Sequence, residues 1–560
     1  VAPTPPFMLY LPGIQPKGGG RLQSLSTPRI PPRAREAGRY AAAFLLPAAV
    51  MLAVYALIGV APFGEKSLLV TDMDGQYVSF FSYLKDMARN GNDFFYTFSK
   101  NLGGDMAGFA AYYLLSPFNL VLLPFSTVHL PAGILLLTLL KVGSAGLTCA
   151  LFLSRAERAG SGTLLFSCSY ALMGFVFVYQ QNILWLDGII FLPLVLWGVQ
   201  RLMSRRRPLL FILSLAACLI TNYYIAYMIC IFSALYFLFQ LAVIHPQSPR
   251  LHGRAVLISC GRLLGAYLAA AGLAAFVLVP TAFSLMGGDK NLGLLSRLGL
   301  GVRFEAGDLF SKLFTGSFES RDMWTSPLPV MFCGLLITLL LFLYFFNRRI
   351  RFREKVAAGI WLAVMFCGFQ VEALYLVWHA FNFPIGFPSR QAFLFSFTMI
   401  YLACRGFVRL RGGVKRRHLA IALTLFMLIA AMVARQQYGY LTLAGIGFDV
   451  LVAAVLLGAR ARLSRAGRRR FGSLVLAALL LVNSGNLLLY GRHVLSQMNY
   501  IPVKTYARYV SDVQPVVERV KHEDKGFYRM EQTFHRGRND PMLFSYRGLS
   551  HFSSTEKTAT

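Results

Sequence analysis

The sequence predicts an all-α polytopic membrane protein of about thirteen transmembrane helices, closing on the start of an extracytoplasmic domain that contains β-strands. Three observations predict it. The 560 residues are 56% hydrophobic and only 14% charged, too apolar for the charged surfaces of several soluble domains. Long apolar runs recur, broken by short arginine-rich segments. The formal charge of +31 sits in those breaks, which is where the cytoplasmic face of a bilayer collects basic side chains. That distribution makes the lipid bilayer a partner and argues against nucleic acid.

Taken in order, spans are predicted near Ala41–Ala61, Pro131–Leu153, Gly162–Tyr179, Ile183–Gln200, Pro208–Asn222, Tyr223–Leu241, Val256–Phe283, Leu328–Phe346, Val356–Phe381, Gln391–Leu410, Leu419–Ala434, Leu441–Ala459 and Phe471–Tyr490. With the N-terminus inside, six loops face the cytoplasm and hold 25 Lys/Arg against two acids, Glu157 and Glu354. The two long outer loops, 62–130 and 284–327, hold nine Lys/Arg and eleven acids. Such a bias is what the positive-inside rule demands. One segment decides the count. If the apolar run Ala107–Phe125 crossed, every later arginine cluster would move outside. It contains Pro117 and Pro124 and follows a Gly-rich turn, so it reads as a re-entrant or interfacial segment.

Three domains follow. Residues 1–40 form a basic leader, rich in Pro, Gly and Arg with Glu36 as its one acid, expected to be disordered and cytoplasmic. Residues 41–490 form the membrane domain, with loop 62–130 as the catalytic outer loop. Residues 491–560 have soluble composition and lie outside; alternation at Gly526–Phe527–Tyr528–Arg529–Met530 suggests strands. The chain is expected to be truncated within that domain. All eight cysteines fall inside apolar spans without a CxxC pair, and the nine histidines include no HExxH. Neither disulfides nor a zinc site is indicated.

Chemistry concentrates in the first outer loop, at Thr71–Asp72–Met73–Asp74–Gly75–Gln76–Tyr77, Lys100–Asn101–Leu102–Gly103–Gly104–Asp105 and Tyr112–Tyr113. Carboxylates beside aromatics just above the hydrocarbon suit a substrate with a sugar head and a lipid tail. Aromatic faces stack on sugar rings and favour the interface, and a carboxylate takes a hydroxyl proton. Either Asp72 or Asp74 can act alone, or both can hold a divalent cation such as Mg or Mn. The same Asp-Gly pair is also an ordinary turn, with Asp72 as a helix cap. Arg390, in the Pro-rich loop Phe387–Pro388–Ser389–Arg390, has the planar fork that grips phosphate, or it anchors the interface. Asp187, Asn222 and Tyr223 lie at outer helix ends, lining a cavity or meeting headgroups. Glu372 and His379 are two helical turns apart and can face one cavity, while Asp449 suits helix–helix hydrogen bonding. Gly316–Ser317–Phe318–Glu319–Ser320 reads as a turn facing substrate.

Several phrases resemble the YfhO family of bacterial membrane proteins. They are Asp72–Met73–Asp74–Gly75–Gln76–Tyr77, Asn101–Leu102–Gly103–Gly104, Tyr112–Tyr113–Leu114–Leu115–Ser116–Pro117–Phe118–Asn119, Asn182–Ile183–Leu184–Trp185–Leu186–Asp187, Thr221–Asn222–Tyr223–Tyr224, Phe387–Pro388–Ser389–Arg390 and Tyr546–Arg547–Gly548–Leu549–Ser550. Their order over roughly residues 40–560 carries the resemblance. The family resembles GT-C glycosyltransferases, so the resemblance implies inverting transfer of a sugar from a polyprenyl-phosphate carrier to a cell-envelope glycopolymer of teichoic-acid type. It implies a multi-pass protein of the bacterial cell membrane, with a cytoplasmic N-terminus and the C-terminal domain outside. The catalytic acid of the first outer loop would be Asp72 or Asp74, with Asp72 favoured. Gln76, Tyr77, Lys100, Asp105, Tyr112, Tyr113, Asp187, Asn222, Tyr223, His379 and Arg390 are expected to bind substrate. A transporter or flippase of lipid-linked sugars, or a non-enzymatic envelope assembly factor, are the alternatives. The family also leads one to expect a closing span that this chain lacks.

Overall fold

The computed structural model describes residues 32–91, 94–205, 207–243, 249–286, 299–410, 415–434 and 469–554, with a few residues between 450 and 457. The first apolar run forms α1 (Pro32–Ile58), which begins well before Ala41. At 1.5 Å per residue its 27 residues reach about 40 Å, enough to cross a bilayer. The polar loop after it holds a five-residue π-turn, Met73–Tyr77, and then the amphipathic α2 (Val78–Asn90). A two-strand ribbon follows, β1 (Tyr96–Thr97) antiparallel to β2 (Gly104–Asp105), and then α3 (Ala107–Tyr113). Seven helical residues reach only about 10 Å. A 3-10 turn at Pro117–Leu122 ends the run, because proline supplies no N–H to continue a helix. Ala107–Phe125 therefore folds back within the loop.

The membrane bundle continues through α4 (Leu130–Ala156), α5 (Thr163–Ala171), α6 (Gly174–Tyr179), α7 (Leu186–Arg205), α8 (Leu209–Thr221) and α9 (Tyr223–Val243). Beyond it come α10 (Pro249–Leu273), α11 (Ala275–Met286), α12 (Leu335–Phe346), α13 (Phe352–Gln370), α14 (Glu372–Trp378), α15 (Ala392–Val408), α16 (Arg416–Ala434) and α17 (Arg469–Ser496). Among the described residues seven helices are long and apolar enough to cross a membrane, and five shorter apolar helices accompany them. The protein is mostly α-helical and multi-pass. Close packing of α1 on α4 needs Gly146, where a Cβ would collide with the Ala43 carbonyl. The predicted span Leu441–Ala459, and Asp449 within it, lie almost wholly outside the described residues.

The two acids of the basic loops meet at one end of the bundle. Arg405 on α15 donates to Glu157 at 2.6 Å and to Glu354 at 2.9 Å, all three side chains buried. One guanidinium thereby clasps the ends of α4, α13 and α15. At the opposite end the loops knit together with the C-terminal segment. Ser67 N–H donates to Ile501 O (2.9 Å), Val503 N–H to Glu65 O (2.8 Å) and Gly548 N–H to Phe98 O (3.2 Å). That segment contains α18 (Val503–Glu523) and the one-turn α19 (Asp540–Leu543). The small sheet thus lies in the first loop, and Gly526–Met530 is bend and coil. Glu372 starts α14 at a helix break, where its N–H donates to Gly301 O (3.0 Å), instead of sitting within a continuous span. Gly316–Ser320 turns inward: Phe318 is buried and its carbonyl accepts from His493 on α17.

Candidate active site

The site is built on two loops whose backbones are both bent into the left-handed region. Thr71, just before Asp72, has φ 49°, and Ser389, just before Arg390, has φ 54°, with Phe387 at 50°. Non-glycine residues avoid this region because Cβ crowds the following carbonyl, at roughly 1–2 kcal/mol each. Strain of this kind persists only where the surroundings over-determine it, as they do at ligand sites.

After Thr71 the chain enters the π-turn, and this geometry does specific work. Wide turns bring residues four and five apart to the same side, so Gln76 and Tyr77 both return to the Asp72 carboxylate. Gln76 Nε2 donates to Asp72 Oδ1 at 3.0 Å. Tyr77 Oη stands 3.5 Å from Asp72 Oδ2, but its single proton is committed to Asn182 Oδ1 at 2.7 Å. Asp72 Oδ1 is therefore held, while Oδ2 keeps an available lone pair. Burial raises the Asp72 carboxyl above its ordinary range, opposed by the Arg390 charge, by the bond from Gln76 and by the nearby Tyr77 hydroxyl. Burial likewise keeps the Tyr77 phenol protonated. Tyr113 Oη donates to Gln76 Oε1 at 3.1 Å, which fixes the amide that holds Asp72.

Arg390 supplies the opposing charge. Its Nε donates to Phe387 O (3.2 Å), and its guanidinium carbon lies 5.0 Å from the Trp185 ring and 5.3 Å from that of Tyr224. Cations above aromatic faces are stabilised by the ring quadrupole. Tyr112 packs against Tyr113, Tyr223 and Tyr224, so an aromatic floor runs from Gln76 to Arg390. Among the described residues no ion pair joins Asp72 to Arg390, although each lies in the field of the other. His379 Nδ1 bonds Tyr375 O (2.8 Å), and Tyr375 Oη accepts from the Ser389 N–H (3.1 Å), so this chain buttresses the Arg390 loop from behind.

Other residues expected to bind substrate also make contacts within the scaffold. Asp187 was expected to line a cavity or meet headgroups; it is fully buried against Lys141 Nζ at 2.7 Å and accepts from Ser116 Oγ at 2.9 Å. A carboxylate so deep survives only because both partners compensate it. Asn222 is buried and caps α9 through the Ile225 N–H. Asp105 caps α3 through the Ala107 N–H and accepts from Ser284. Lys100 is buried, donates to Asp105 O and lies over the Phe109 ring. Asp74 ion-pairs with Arg536 of the C-terminal segment. Asp74 is thus paired across to the C-terminal segment, while Asp72 is held within its own turn by Gln76.

Sequence reasoning missed the cover of the site. Arg536 reaches Asp74, Asn539 Nδ2 donates to Gly75 O (2.8 Å), and Ser554 N–H donates to Tyr113 Oη (2.8 Å). His551 packs between Phe80 and Phe109. No local pattern marks these residues, because their partners lie over four hundred positions away. Trp185, Tyr224 and Asn182 were visible inside the resemblance phrases, but only folding brings them beside Asp72 and Arg390.

Thr71→Gly is expected to leave stability within about 1 kcal/mol of the parent. Strain relief of roughly 1–2 kcal/mol is offset by glycine's extra unfolded-state freedom. The Asp72 carboxylate should nonetheless lose its fixed exit angle, which melting and structural measurements on one preparation would separate. An unchanged Asp72 position would mean that the strain does not set it.

A family model described as "Bacterial membrane protein YfhO" matches residues 42–560. The "Uncharacterized protein YfhO" of Bacillus subtilis (strain 168) is 24% identical over 514 residues, covering 86% of this chain and 55% of its own length. The chain thus spans about half the length of that curated relative. Among solved structures, arabinofuranosyltransferase AftD from Mycobacteria aligns with TM-score 0.41 at 13% identity, over 70% of this chain and 27% of its own. ArnT from Cupriavidus metallidurans, bound to undecaprenyl phosphate, aligns with TM-score 0.39 at 13% identity, over 90% and 84%.

Proposed function

The chain belongs to the YfhO family of bacterial membrane proteins, and we propose that it transfers a sugar from a polyprenyl-phosphate carrier to a cell-envelope glycopolymer of teichoic-acid type, on the outer face of the bacterial cell membrane. The observation that carries this reading is the Asp72–Arg390 pair: a carboxylate whose Oδ2 has only a long contact to Tyr77 lies in the field of an arginine beside an aromatic floor, with no ion pair between them. In the proposed reaction the acceptor hydroxyl attacks the anomeric carbon from one side. Asp72 Oδ2 takes the hydroxyl proton as the new C–O bond forms. The bond between the anomeric carbon and the phosphate oxygen breaks on the opposite side, which inverts the centre. The electron pair leaves with the polyprenyl phosphate, whose charge Arg390 balances. Tyr223 and Tyr224, each partly exposed, supply flat faces for the sugar, and the apolar helices below suit the lipid tail.

The orientation proposed with this reaction puts the Arg405 clasp and the N-terminus in the cytoplasm and the loop end outside, as the basic loops require. It predicts that a cysteine placed at Lys525, exposed on the C-terminal segment, labels with a membrane-impermeant thiol reagent on intact cells. One at Arg155 should label only after lysis, and the reverse pattern would overturn the orientation. The reaction is tested by incubating the purified protein with radiolabelled polyprenyl-phosphate sugar and a glycopolymer acceptor. Incorporation with inversion supports transfer. Translocation of the lipid-linked sugar without incorporation would make the protein a flippase, and neither outcome would leave an assembly role.

A further inference from the structure

We infer that a cleft between the first loop and the C-terminal segment is a binding site for an anionic acceptor chain, a polymer of sugar or polyol units joined by phosphates. The inference rests on the transferase reading for its purpose and on the cleft itself for its chemistry. The cleft is about 460 Å³ in volume. One wall is Tyr83 of α2 with Tyr96 and Phe98 of the ribbon; the other is the C-terminal turn of α18 with Tyr528, Tyr546 and Arg547. Three cations, Lys521, Lys525 and Arg547, line it with one acid, Asp524; Lys521 also pairs with Glu518 at 3.1 Å, so the rim's positive charge rests mainly on Lys525 and Arg547. The acid is already engaged, accepting from the Gly526 N–H at 2.8 Å.

Two features distinguish this from an ordinary surface groove. Aromatic side chains on one wall stand opposite the cations on the other, the combination that stacks on sugar or polyol carbons while pairing with phosphates. Tyr546 is also buried to 3% exposure, and its hydroxyl has no hydrogen-bond partner among the described residues. A buried polar group without a partner is costly, and here it belongs to a side chain that lines the cleft. The walls are held in place independently of any ligand, by the Tyr83 hydroxyl bond to Thr97 (2.7 Å) and by the edge-on packing of Phe98 against Phe527. Tyr83 lies eleven residues along from Asp72 through the π-turn and α2, roughly 16 Å at helical rise. A site that far from the reacting carboxylate is too remote for the transferred sugar. It fits further units of a chain whose modified unit lies at Asp72.

The test uses the full chain in nanodiscs and a fluorescently tagged polyol-phosphate oligomer, beside a neutral oligosaccharide of equal length. Lys521→Ala/Arg547→Ala is expected to weaken oligomer binding about tenfold or more, with the loss shrinking as salt rises. Tyr546→Phe removes only the unpartnered hydroxyl, so it should melt no lower than the parent yet bind the oligomer several-fold more weakly. Unchanged oligomer affinity in both cleft variants, or equal binding of the neutral chain, would overturn the site. Cleft-dependent binding without any sugar transfer would instead overturn the transferase reading and leave the site standing.

Discussion

Asp72→Asn is expected to lower sugar transfer by about 10²–10⁴-fold, the range a general base contributes, without loss of membrane insertion or fold. The structure sharpens a choice that the Asp72–Met73–Asp74 spelling left open. Asp74 is neutralised by Arg536, and a carboxylate engaged in this way is a poor proton acceptor. Asp72 has Oδ1 held by Gln76 and Oδ2 almost free. Asp74→Asn should therefore act through the cover alone, with a modest loss that Arg536→Gln reproduces. If instead Asp74→Asn were the dead variant and Asp72→Asn active, the assignment would be reversed.

The pH behaviour follows from the same burial. The base works only when ionised, and burial raises its carboxyl despite Arg390. Transfer should therefore fall as pH drops through that raised value, on an acid limb above the ordinary carboxylate range. For stability the sign runs the other way. The folded state holds the Asp72 proton more tightly than the unfolded chain does, so this residue stabilises below the unfolded carboxylate range. That contribution is lost as pH rises through the folded value. Above the folded value the ionised, half-buried Asp72 is a cost, and Asp72→Asn should melt no lower than the parent. A purely structural aspartate would show a clear fall in Tm on the same substitution, which thermal scans in that pH range would reveal.

The membrane architecture was legible in the sequence because lipid imposes a one-dimensional rule: a span is a local run of apolar residues, and its flanks are local charges. The folding back of Ala107–Phe125 was readable for the same reason, since Pro117 and charge parity are both properties of the chain itself. Asp72, Gln76, Tyr77 and Arg390 were also within reach, as polar residues in short loops beside aromatics. What escaped was long-range pairing. That Asp187 is spent on Lys141, that Asp74 answers to Arg536, and that the ribbon lies at 96–105 while Gly526–Met530 stays irregular depend on contacts that periodicity does not encode.

Arg390→Ala should reduce kcat/KM for the lipid-linked donor by about 10²–10³-fold, the usual loss when one preorganised charge stabiliser is removed. The guanidinium sits where it cannot simply be replaced. It is half-buried, stacked near Trp185 and Tyr224, and tied to the Phe387 and Gly386 carbonyls. A lysine keeps the charge but loses the fork that holds both the loop carbonyls and a phosphate, so Arg390→Lys should recover only part of the activity. The two roles of this arginine separate in the kinetics. If it balances the leaving phosphate, a donor with a better leaving group needs less help, and the loss in Arg390→Ala should shrink with such a donor. If it serves only to pin the loop, the loss should be the same for both donors, and Ser389→Gly, which frees the same loop, should reproduce it. Equal losses across donors would therefore remove Arg390 from the chemistry and leave Asp72 acting against a charge balanced elsewhere.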